Sequence, residues 1–128
     1  MTLIEMSMDR HWIPALESGA KTATTRLEKR GDTGDTFEID GHRYLITNVV
    51  CMSLYATVHI FHFREGFEEW TDMRDTFLQY YPDLADGEQV YVHEFREIPR
   101  EIAAKDVVAL AEEVSEDVFD KMPREASR

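Results

Sequence analysis

Basic residues are in short supply in this chain. Lysine and arginine number 14 against 26 aspartates and glutamates, a formal net charge of -12, and Lys21, Lys29, Lys105 and Lys121 are the only lysines. Proteins held to nucleic acid mainly by phosphate contacts carry an overall basic balance or a broad basic face, so any such surface here has to be local. Cysteine is almost missing: Cys51 stands alone in the apolar run VVCMSLY, which rules out an intramolecular disulfide and predicts a small buried side chain. No stretch nears the roughly 20 apolar residues of a membrane helix. The opening MTLIEMSMDRHW has acids where a basic leader region would stand and no apolar segment after them, so a cytoplasmic protein is expected. No glycine-rich phosphate loop is present, and GDTGD sets acids where phosphate would be repelled. Of five histidines, none falls at a paired-ligand spacing; His59 and His62 read as facing opposite ways on a strand. Neither a metal nor a cofactor is expected.

What the chain does have is a globular composition, 43% apolar and 31% charged over 128 residues, enough for one core. Thr2 to Met6 reads as a short opening strand. Asp9 is placed to cap a helix reaching Ser18, with Pro14 in its first turn and Gly19 ending it. Thr22 to Leu27 is β-branched and extended in character. Thr36 to Ile39 and Arg43 to Val50 flank Asp40-Gly41, the strongest hairpin signal in the chain. Cys51 to Phe63 is expected to span another strand and a connection. Trp70, Met73, Phe77 and Tyr80 recur at helical spacing before Pro82, and Gln89 to Phe95 alternates as a strand. Val107, Ala111, Val114 and Val118 form a last helical stripe, whose other face is strongly acidic. The pattern is α+β: five or six short strands joined largely by hairpins, with three helices, which favours a small, partly open, mainly antiparallel barrel.

Against the acidic background, "GAKTATTRLEKRG" gathers Lys21, Arg26, Lys29 and Arg30 with Thr22, Thr24 and Thr25. A threonine hydroxyl needs a base to attack a carbonyl at neutral pH, and a desolvated lysine amine can serve, with a carboxyl group from elsewhere protonating the leaving group. On an unbroken strand Lys21 and Thr24 would face opposite ways, whereas Thr22, Thr24 and Arg26 would share a face. Lys21 and Thr24 meet only if the chain is still turning at Lys21, as Gly19 permits. The alternative is a solvated lysine beside a threonine-rich strand. Tyr44, Tyr55, Tyr80 and Tyr81, with Trp12 and Trp70, are candidates either to stack a base or to fill the core.

"SGAKTATTRL", then "GDTFEIDGHRYLITNVV", "HFREGF", "YPDL" and "VYVHEF" together resemble the ASCH domain of the PUA-like superfamily. The family pattern is a helix ending in Gly-x-Lys-Thr-x-Thr-x-Arg, then Gly-Asp at a strand start, then Glu-Gly-Phe opening a helix. Here these fall on Gly19, Lys21, Thr22, Thr24 and Arg26, on Gly34-Asp35, and on Glu65-Gly66-Phe67. The resemblance covers about Thr2 to Arg96, so residues 1–97 are expected to form the domain and 98–128 an acidic helical extension. It implies a small barrel with a cleft, related to RNA-binding domains. Some short ASCH proteins remove acyl groups from the exocyclic amine of acetylcytidine. Carried over, that chemistry makes Lys21 the base, Thr24 the nucleophile and Glu65 the acid, with Glu68 and Glu69 as alternatives for the last. Arg26, Thr22 and Tyr44 would contact the substrate, a modified nucleoside or RNA, and no membrane is involved. A non-catalytic RNA-binding module using the same cleft is the competing expectation.

Overall fold

The computed structural model describes residues 2–99; the predicted acidic helix and its relation to the domain lie outside the described residues. Four antiparallel strands, β1 (Ala23–Arg26), β2 (Thr36–Ile39), β3 (His42–Ser53) and β4 (Gln89–Ile98), form one sheet in the order β1-β4-β3-β2. The sheet curls into a half-barrel flanked by α1 (Ile13–Ser18), α2 (Leu54–Phe61) and α3 (Trp70–Tyr80). This is the expected α+β architecture of a small, partly open barrel.

The hairpin between β2 and β3 turns where Asp40-Gly41 predicts it. Both residues have positive φ, 51° and 80°, as a two-residue turn matched to strand twist requires. α1 follows a single 3-10 turn, Arg10–Trp12, and ends at Gly19 with φ 81°. Asp9 makes no side-chain cap; its carboxylate instead accepts a 2.5 Å hydrogen bond from the Tyr80 hydroxyl. Thr2 to Met6 is not a full strand: a single parallel bridge joins Leu3 to Thr36.

The largest departure is the stretch from Cys51 to Phe63. β3 runs on to Ser53, whose hydroxyl accepts the Ala56 N–H at 3.1 Å and so caps α2. The apolar run is thus a strand end and then a helix, with His59 on α2 and His62 at its end. Both histidines were expected on a strand. Cys51, expected to be buried, is exposed.

β3 is long because β4 pairs with it from Arg43 to Ser53, whereas β2 covers only His42 to Leu45. Its register against β4 shifts between Ile46 and Asn48, a bulge that bends the strand. Tyr44, Leu45 and Ile46 are all buried in succession, since here both faces of the curled sheet are covered. Phe37, Tyr44 and Phe95 pack around one another with ring centroids 5.3–5.4 Å apart. Between α2 and α3, Leu54, Val58 and Met73 form a second core, flanked by Phe67, Trp70 and Phe77.

Candidate functional site

Lys21 sits two residues before β1, between the end of α1 and the sheet. Its own N–H donates to Ala15 O at 3.0 Å, so the chain is still turning there, and the side chain folds back along the start of β1. Nζ donates to Ala23 O at 2.9 Å, to Glu65 O at 3.1 Å and to Glu65 Oε1 at 2.5 Å. Both side chains of this ion pair are buried, at 3% and 6% exposure. The three bonds use all three ammonium hydrogens. Burial pushes the Lys21 pKa below its ordinary value; the Glu65 charge and hydrogen bond oppose this, and Arg26 adds to it. Glu65 Oε2 is buried and has no hydrogen-bond partner among the described residues.

The turn after α2 explains why glycine and phenylalanine follow that glutamate. Gly66 has φ 96°, and a Cβ there would lie 2.9 Å from Trp12 Cζ3. The absent side chain lets the Trp12 ring close over the turn. Phe67 meets Trp12 edge-on at 5.0 Å, and Lys21 Nζ lies 4.6 Å from the Trp12 ring centroid. Glu65-Gly66-Phe67 therefore closes the turn after α2, and α3 begins only at Trp70.

β1 supplies the opposite wall. Thr24 is buried, and its Oγ1 accepts from Arg26 Nε at 3.3 Å, the shared face that alternation predicts. Arg26 Nη2 donates to Ser7 O at 2.6 Å. Behind the strand, His93 is fully buried on β4; its Nε2 accepts the Arg30 N–H at 2.9 Å and Nδ1 faces Thr24 O at 3.3 Å. Nδ1 therefore carries the proton and donates it to Thr24 O. Lys21, Thr24, Arg26 and Glu65 line one cleft of about 340 Å³, whose remaining walls include Trp12, Phe67, Phe77, Tyr80 and Tyr81.

Neither a protein-family model nor a curated protein matches the chain. Solved structures do. The hypothetical protein PH0355 is similar with a TM-score of 0.61 at 15% identity, over 77% of this chain and 100% of its own. Protein EF3133 from Enterococcus faecalis V583, assigned to DUF984, gives 0.55 at 20% identity, over 76% and 75% of the two chains. An ASCH domain from Lactobacillus crispatus JV V101 gives 0.52 at 14% identity, over 75% and 78%. The chain has an ASCH-like fold. At such identities the likeness carries the fold alone, and chemistry has to be argued from side chains.

Within this ASCH-like domain, four of the six residues singled out from sequence come together: Lys21, Thr24, Glu65 and Arg26. Glu68 and Glu69 are exposed and do not line the cleft. Thr22 does not line the cleft; its backbone N–H donates to Arg64 O and its carbonyl accepts from Phe95 N. Tyr44 is 2% exposed inside the aromatic core, which leaves it no face for a substrate. Arg26 makes no ion pair with Glu65, whose Oε1 is held by Lys21. Trp12 and Tyr80 were read only as helix-face residues or general stacking candidates. The signal for Trp12 was Gly66, whose positive φ and missing Cβ both serve the turn over which that ring closes. No three His, Cys, Asp or Glu side chains gather as a ligand set among the described residues, and no described helix is long and apolar enough to cross a membrane.

Proposed function

We propose that the cleft takes a cytosine-like base acylated on its exocyclic amine and hydrolyses the amide. The observation carrying this reading is the buried Lys21–Glu65 pair on the wall of an aromatic cleft that also holds the Thr24 hydroxyl. Burying both charges costs several kcal/mol per ion, a cost that an apolar pair would avoid. Flat aromatic walls suit a planar ring.

In the resting pair Lys21 is an ammonium and Glu65 a carboxylate. When substrate expels water, the proton crosses the 2.5 Å hydrogen bond from Nζ to Oε1, because a neutral pair is favoured as polarity falls. Lys21 is then an amine and Glu65 an acid. Thr24 Oγ1 attacks the acyl carbonyl and gives its proton to Lys21, while Glu65 protonates the departing exocyclic nitrogen. The products of this step are an acyl-Thr24 ester, the free amine and the restored ion pair. Water then attacks the ester, its proton passing to Glu65, and Lys21 returns a proton to Thr24 Oγ1 as the acid leaves. Arg26 Nε, already donating to Thr24 Oγ1, orients the hydroxyl so that its hydrogen is free for Lys21.

The test is incubation of the protein with acetylcytidine at salt from low to molar, with chromatography of products and mass spectrometry of the quenched enzyme. Cytidine above a heat-killed control, with an acetyl group on Thr24 early in turnover, is expected. No cytidine at any salt sinks the reading. A second reading is favoured by one observation: Lys21 already spends all three hydrogens tying β1 to the turn at Glu65. On that reading the pair is a structural tie and the cleft binds an RNA base without turnover. Thr24→Ala then leaves binding intact.

A further inference from the structure

We propose that a second groove, sharing a wall with the cleft, seats a phosphate group attached to the bound nucleoside, so that the substrate is a nucleotide unit. The inference rests on the cleft being a nucleoside site and names the class of substrate it takes. The groove has a volume of about 580 Å³ and is lined by the segment from Leu3 to Ser7 together with Arg26, Arg30 and Glu38. Arg26 and Ser7 line both spaces. One ribose joins a base to its phosphate, so adjoining compartments that share Ser7 and Arg26 are what such a ligand needs.

The charges favour an anion. Glu38 is already held by Arg43, whose Nε and Nη2 donate to its Oε1 at 3.2 and 2.7 Å. Glu5 also lines the groove, where it is exposed to solvent. Arg26 spends Nε on Thr24 and Nη2 on Ser7. The Arg30 guanidinium has no hydrogen bond or ion pair among the described residues, only its backbone N–H being engaged, by His93. The neighbouring Lys29 is occupied by Asp32. Burial lowers the Arg26 pKa, the Glu65 charge opposes this and the Arg30 charge adds to it; Arg26 and Arg30 therefore repel each other, and an anion at the groove relieves that repulsion. Arginine's planar fork suits phosphate oxygens. In a chain of net charge -12, Arg26 and Arg30 line one groove, and neither is engaged in an ion pair among the described residues.

The experiment compares kcat/KM for acetylcytidine, for its 5′-monophosphate and for a short single-stranded RNA carrying one internal acetylcytidine, in wild type and Arg30→Ala. Binding of cytidine, cytidine 5′-monophosphate and inorganic phosphate is measured in parallel by calorimetry. The phosphorylated substrates are expected to be favoured by about tenfold or more through KM, as one charge-assisted contact supplies, and Arg30→Ala should bring that ratio close to one. A preference for the RNA alone identifies a chain phosphodiester as the source, and a preference for the monophosphate a free nucleotide. Equal kcat/KM for nucleoside and both phosphorylated forms, or a preference that survives Arg30→Ala, overturns the proposal. If no acylated substrate is cleaved, the catalytic reading fails by itself, and the phosphate seat is judged on binding. Cytidine 5′-monophosphate must then bind about tenfold more tightly than cytidine, with the gain lost in Arg30→Ala.

Discussion

The two ends of the sheet solve opposite problems. At the β2–β3 hairpin, Phe37, Tyr44 and Phe95 bury one another in a dry cluster that needs no polar partner. At the β1 end the buried residues include Lys21, Thr24, Thr25, Glu65 and His93. Apolar burial is worth about 25 cal/mol per Å², whereas a buried ion pair at best recovers its desolvation. One end is therefore explained by stability. The other gains little from its buried charges, and the proposed catalysis would account for keeping them.

The sharpest way to break that comparison is to separate the pair's charges from its volume. Glu65→Ala leaves Lys21 buried without its counter-charge and should destabilise the fold by about 3–5 kcal/mol, read from denaturant unfolding. Lys21→Met combined with Glu65→Leu removes both charges and should be at least as stable as wild type, while losing all hydrolysis. A double variant as unstable as Glu65→Ala would mean that the pair is a structural tie.

Turnover is the next effect in size. Lys21→Arg keeps a cation against Glu65 but cannot release a proton near neutrality. In the catalytic reading turnover falls by at least about 100-fold, the lower range for general base catalysis. In the binding reading RNA affinity is kept. A folded Lys21→Arg variant with full hydrolytic activity removes Lys21 as the base, and Thr24 would need another activator.

How far these two ends could be read from sequence differs for a physical reason. The hairpin end was legible because Asp40-Gly41 needs positive φ at both positions and little else does. Lys21, Thr24 and Glu65 were legible only as a spaced pattern. Their meeting depends on the turn at Lys21 and on a contact 44 residues away along the chain. α2 was missed because the run from Leu54 to Phe61, apolar and rich in β-branched and aromatic residues, has the composition of a strand. Ser53 as a cap is the local signal that tips it to helix. Tyr44 was misassigned because both faces of the sheet are covered there, so that Tyr44, Leu45 and Ile46 are buried in succession. Periodicity cannot report a face when both faces are covered.

A smaller effect is the pH dependence contributed by His93. Burial holds its pKa below the ordinary histidine value, against the pull of the Thr24 carbonyl. In the unfolded chain it titrates near about 6.5. The unfolded state therefore binds the extra proton first, and stability falls as pH drops below about 6.5 towards the folded pKa, by at most about 1.4 kcal/mol per pH unit. His93→Asn should flatten that slope between pH 7 and 5 in thermal unfolding. An unchanged slope would assign the acid sensitivity to other groups.

The smallest predicted effect tests whether the aromatic end is truly separate from the cleft. Tyr44 is stacked on Phe37 and meets Phe95 edge-on. Burial, with the Glu97 charge adding, raises its pKa, so the hydroxyl stays protonated through any pH at which the protein would be assayed. Tyr44→Phe keeps ring and volume and removes one hydroxyl, a change worth less than about 1.5 kcal/mol even where a hydrogen bond is lost. Both kcat and KM should be unaltered, because no ring of this cluster lines the cleft. Phe37→Ala is the harsher companion: it should cost about 3–5 kcal/mol of stability through the cavity it leaves, yet leave KM unchanged for the molecules that remain folded. A KM that rises in Tyr44→Phe with stability intact would mean that the hairpin end reaches the bound base, and the division between a stabilising end and a working end would not hold.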